Sequence, residues 1–200
     1  MRVFSSPFRL TGSLALAGVL MGLVGCGGSS TTQASHSASA TPAPTPAASL
    51  VYTAPSAAGY QLVRDPSSTG SHLVLSLVGP QGTQVRGALL SLNADGAKVA
   101  WGNPGGSDPY IREGQVLALG TGTKLLKSQL SGSMLQAALF QKGATPAATL
   151  DSQPLFSVAL DLKAGASTGA VKLSSASAQI LDATGATQAI TVAVGSLVAQ

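Results

Sequence analysis

The chain has 200 residues, with 11 Lys and Arg against seven Asp and Glu, a formal net charge of +4 and only 9% charged residues. Charges so few and so scattered exclude a nucleic-acid-binding surface. A single cysteine excludes an intrachain disulfide, and with only two histidines beside it no zinc ligand set can be assembled.

Residues 1–25 read as a secretory signal. Arg2 and Arg9 form a positive n-region, and an apolar, acid-free run follows from Leu10 to Val24. That run is shorter than the ~20 residues a helix needs to span a bilayer. It ends in Leu23-Val24-Gly25-Cys26, which resembles the lipobox of bacterial lipoproteins, and the resemblance implies cleavage before Cys26 and a diacylglycerol on its sulfur. Several acyl chains on one residue make a stable anchor. The expected location is the cell envelope. Gly27 follows the cysteine, a pattern that favours the outer membrane if the host has one.

Residues 26–49 carry Gly, Ser, Thr, Gln, Ala and Pro and no large aliphatic side chain. Such a segment cannot bury a core, so a disordered Ser/Thr/Pro/Ala tether is expected, stiffest at Thr41-Pro42-Ala43-Pro44-Thr45-Pro46. His36 lies within it, alone, and is not assigned to a metal.

Residues 50–200 are the right size for one core, and their apolar period is two. Strands are expected at 73–78, 84–92, 98–101, 115–119, 124–128, 134–141, 155–162, 170–173, 177–181 and 189–194. The turn Asn93-Ala94-Asp95-Gly96 makes 84–92 and 98–101 candidates for a hairpin. The stretch Gly132–Phe140 also admits a helical reading, but its neighbours leave no helical layer for it to join. The expected architecture is therefore all-β: an antiparallel jelly-roll-type sandwich of about nine or ten strands.

The second half resembles a known family. Val85-Arg86-Gly87-Ala88-Leu89-Leu90-Ser91-Leu92 is similar to an early cohesin strand. Leu155–Leu162, a glycine-containing link, the turn Asp182-Ala183-Thr184-Gly185 and Ile190–Leu197 follow the order of the last cohesin strands. The resemblance covers most of residues 70–198. It implies a sandwich of the cohesin and carbohydrate-binding-module type that binds a protein or a glycan. The Trp101–Arg112 loop departs from the family pattern, and the chain carries no duplicated calcium loop of the dockerin kind.

No catalytic site is expected. His72 has no Gly-x-Ser-x-Gly serine to serve, and most of the acids sit in turns, where Asp bonds its own backbone. Asp95 and Asp182 are the acids considered for calcium, but they lack the dense oxygen spacing of a calcium loop. No cofactor is implied.

The candidate binding residues are Trp101, Asn103, Asp108 and Tyr110, on a Gly- and Pro-rich loop. Aromatics on such loops stack sugars or anchor protein partners. For Trp101 the favoured reading is instead a strand end that plugs one end of the core with Tyr110 packed over it, and Tyr110 is the more exposed of the two. The expected function is membrane attachment through Cys26 and binding of an envelope protein or glycan. The alternative is a structural lipoprotein acting through an edge strand or face.

Overall fold

The computed structural model describes residues 45–117, 124–141 and 146–200. The expected signal peptide, Cys26, His36 and most of the tether lie outside the described residues. Among those described there are fifteen strands and no helix.

The first five are β1 (Leu50–Thr53), β2 (Tyr60–Arg64), β3 (His72–Val78), β4 (Gln84–Ala94) and β5 (Val99–Gly102). Then come β6 (Arg112–Glu113), β7 (Lys124–Ser131), β8 (Met134–Gln141), β9 (Ala148–Thr149) and β10 (Phe156–Leu162). The last are β11 (Gly169–Val171), β12 (Leu173–Asp182), β13 (Thr187–Ala189), β14 (Val192–Ala193) and β15 (Ser196–Ala199). Sheet I has the order β14-β2-β3-β10-β5, with β6 also on β10. Sheet II has the order β13-β12-β4-β8-β7, with β9 also on β4. A small sheet III is β1-β15-β11. All pairings are antiparallel except β14 on β2.

Alternation along each strand aims one set of side chains into the space between the sheets. Leu73, Leu75 and Leu77 of β3 and Phe156, Val158 and Leu160 of β10 belong to the same core as Ala88, Leu90 and Leu92 of β4 and Leu135, Ala137 and Leu139 of β8. Each large apolar side chain buried there contributes roughly 1.5–3 kcal/mol. Gly87 is required where β4 meets β8, since a Cβ there would lie 2.2 Å from the Phe140 ring and 2.6 Å from the Leu139 carbonyl oxygen. Tyr52 joins sheets III and I: its hydroxyl donates to the Leu62 carbonyl at 3.1 Å and accepts the Gly195 N–H at 2.7 Å.

The strand reading of 134–141 holds, and the sandwich is as expected. Three assignments change. β4 and β5 are not a hairpin, because β4 lies between β8 and β12 while β5 pairs with β10 in the other sheet. The turn at Asp95, whose carbonyl accepts the N–H of Lys98 and Val99, carries the chain across the sandwich so that Val99 and Trp101 enter the core. The expected strands 170–173 and 189–194 each split between sheets, at Lys172 and at Ile190–Thr191. Residues 115–117 form a bend rather than a strand, and 118–119 lie outside the described residues. Sequence periodicity also passed over β1 and β2, each only four or five residues long.

Candidate functional site

Each expected loop residue has a partner within the domain. Trp101 is buried on β5, and its indole N–H donates to the Ser133 carbonyl at 2.9 Å. Asn103 turns its side-chain oxygen back onto the N–H groups of Gly105 and Gly106, at 2.8 and 3.2 Å. Asp108 accepts the Tyr110 N–H at 3.0 Å and takes the N–H and hydroxyl of Ser128. Tyr110 is half-buried and packs against the core. Trp101 and Tyr110 line a groove of about 470 Å³ together with Leu130 and Ser133 of the β7–β8 hairpin. Asn103 and Asp108 are not among the residues lining it.

The loop's other anchor was not legible in the sequence. Arg112 donates to Asp65 at 2.8 Å and to the Pro104 carbonyl at 2.9 Å. Asp65 also accepts the Ser76 hydroxyl, which in turn meets Ser157 at 2.8 Å. Partial burial pushes the Asp65 carboxyl up, but hydrogen bonds from Ser67 and Ser76 together with the Arg112 charge outweigh it and hold the group at about 2. These contacts tie the 65–68 turn and the 103–112 loop over the outer face of sheet I. Val74, Ser76, Ser157 and Ala159 point away from the core there and are nonetheless buried.

Sheet II is different. Its outward rows follow from register: Leu125, Phe140, Gly87 and Leu181 form one, and Lys127, Ala138, Leu89 and Gln179 the next. A further row is Gln129, Gln136, Ser91 and Ser177. Leu125 is 44% exposed. Leu89, Lys127, Gln129, Gln136 and Ala138 line a shallow groove of about 150 Å³ in the middle of this face. The sequence signal was present, since β8 reads Met-Leu-Gln-Ala-Ala-Leu-Phe-Gln with apolar residues in both phases, but periodicity alone does not separate a binding face from a buried one.

The remaining candidates for chemistry are engaged. His72 Nδ1 lies 2.5 Å from Asp161 across β3 and β10. Asp182 accepts the N–H groups of Thr184 and Ala186, the Thr184 hydroxyl and the Gln188 amide, which together lower its pKa. A carboxylate with that many donors is the hub of its own turn. Among the described residues no three His, Cys, Asp or Glu side chains gather as a metal site.

Set against solved structures, this arrangement of sheets has clear counterparts. The second type II cohesin module of the cellulosomal adaptor scaffoldin ScaA from Acetivibrio cellulolyticus superposes with a TM-score of 0.54 at 11% identity. The match covers 70% of this chain and 94% of that one. A type II cohesin–X-dockerin complex from the same organism matches with a TM-score of 0.53 at 10% identity, over 69% of this chain and 95% of that one. The fold is that of the cohesin modules. No protein-family model matches the chain, and no curated protein matches it significantly. At such identities the likeness to cohesins is one of fold.

Proposed function

We propose that this chain is a protein-binding module built on the cohesin fold, held at the cell envelope by lipid on Cys26, and that its partner docks on the outer face of sheet II. The observation that carries the reading is the contrast between the two outer faces. Sheet I is closed over by the Asp65–Arg112 knot, whereas sheet II presents an open surface of small, amide and apolar side chains, with the groove beside Leu89 in its middle and Leu125 exposed on the edge strand. A mixed apolar and amide surface with little charge suits a protein interface core. A cohesin match solved together with an X-dockerin supports a protein as the occupant, and the lipobox-like Leu23-Val24-Gly25-Cys26 supports the anchor.

The edge-strand alternative is weaker at β7. There the Asp108 carboxylate already occupies the Ser128 N–H that an added strand would need.

The test is capture from solubilised envelope with three baits: the parent, Leu125→Glu/Gln136→Glu on the open face, and Trp101→Phe/Tyr110→Ala on the loop. A partner held by the parent and the loop variant but lost by the face variant is expected. Retention by the face variant and loss by the loop variant would move the site to the groove beside Trp101.

A further inference from the structure

The point where the tether joins the domain is surrounded by lysines. Thr45 accepts the Thr168 N–H at 3.3 Å, and the Ala47 N–H donates to Ala166 at 2.7 Å, so the chain enters along residues 166–168. Lys98 reaches over the same segment, its Nζ donating to the carbonyls of Thr168 and Ala170 at 3.2 and 3.1 Å. Lys163 donates to the Gly96 carbonyl in the turn that carries Lys98. The Lys172 carbonyl accepts the Asp95 N–H of that turn at 2.9 Å, and the Lys172 side chain is exposed. Beside them, Val51 and Val198 face each other across β1 and β15 and are 41% and 37% exposed.

Two carboxylates share this end. Asp95 Oδ1 accepts the Ala97 N–H, and Asp161 is taken up by His72 on the face of sheet I. Three lysine ammonium groups stand against these two side-chain carboxylates, with Gln200, the last residue of the sequence, also held here by Ala48 and Ser49. Lysines around exposed aliphatic residues are the chemistry of an anionic bilayer surface, where the cations meet headgroup phosphates and the aliphatic side chains enter the interface.

We infer that Lys98, Lys163 and Lys172, with Val51 and Val198, form a second contact between this domain and an anionic membrane, set around the entry of its own tether. The inference rests on the anchoring proposed for Cys26. The contact fixes orientation. Asn93 on β4 lies beside this lysine end and Gly87 lies toward the other end, about 20 Å along the strand. The row Leu125–Phe140–Leu181 is level with Gly87, so the partner face is held at its far end away from the headgroups.

The described domain begins at Thr45, so a chain beginning at Gly27 keeps it whole and carries neither signal nor cysteine. Its co-sedimentation would be measured with vesicles of phosphatidylcholine alone and of phosphatidylcholine with phosphatidylglycerol. The expected result is binding to the anionic vesicles only, lost at about 1 M salt, where screening reaches within a few ångströms of each charge. Each lysine near a charged surface is worth roughly a fivefold change in partition, so Lys163→Gln/Lys172→Gln should lower binding by about 25-fold. Lys127→Gln, on the face of sheet II, should leave it unchanged. Equal partition onto both vesicle types, equal binding by the double variant, or an equal loss in Lys127→Gln would overturn the inference. Mass analysis of the Cys26 peptide from the native envelope tests the anchor separately: absence of acyl chains there would remove the anchor and leave the vesicle result standing.

Discussion

Replacing Asp65 with Asn removes a charge from the knot that closes sheet I while nearly preserving its shape. In the folded protein the Asp65 carboxyl is held at about 2 against an ordinary value of 3.8. Its side chain is 12% exposed, so solvent screens the Arg112 pair only in part. The difference between the two values corresponds to about 2 kcal/mol favouring the ionised folded state. Because the folded value is the lower one, this stabilisation is fully present above about pH 4 and fades as pH falls toward 2. Asp65→Asn should therefore cost about 2 kcal/mol at neutral pH, lowering the melting temperature by about 4–8 °C for a domain of this size. It should also flatten the acid limb of the stability profile. Urea unfolding at neutral pH and near pH 2.5 measures both. Asp65→Asn/Arg112→Met, compared with each single variant, isolates the coupling between the two side chains. A variant that loses stability equally at both pH values would refute the reasoning, because the cost would then lie in packing and not in the charge.

Two further outcomes follow from the loop. Trp101→Phe keeps most of the buried ring but removes one of the two donors on the Ser133 carbonyl, which keeps the Ala94 N–H at 3.2 Å, at a cost of about 1 kcal/mol read by urea midpoint. Asp108→Ala uncovers the Ser128 N–H on the edge strand β7. It should lower stability by about 1 kcal/mol and raise concentration-dependent association, seen by light scattering and relieved by Leu125→Lys at an exposed position of the same strand.

Period-two apolar patterning marked most of the strands, including β8, where a helical reading was also open. Alternation is a local property, written in side chains two residues apart, and the core-facing sets of β3, β4, β8 and β10 are visible in the chain as written. The turn chemistry was local too: Asp182 organises its own turn as turn acids do. Nor did the loop need the fold to single out Trp101, the only tryptophan in the chain.

Pairing is not local. The turn after β4 looked like a hairpin turn, yet both edges of β4 are taken by β8 and β12, and Val99 and Trp101 enter the core from the other sheet, on β10. Separate crossings divide 170–173 between sheets III and II and 189–194 between sheets II and I, and no residue within either stretch signals them. The Asp65–Arg112 contact joins side chains 47 positions apart. It decides which outer face is closed and, by closing one, leaves the other as the surface on which a partner can dock. Apolar spacing along this chain was enough to specify a sandwich. Which of its faces stays open, and where its tether enters, depended on long-range contacts that exist only once the two sheets have come together.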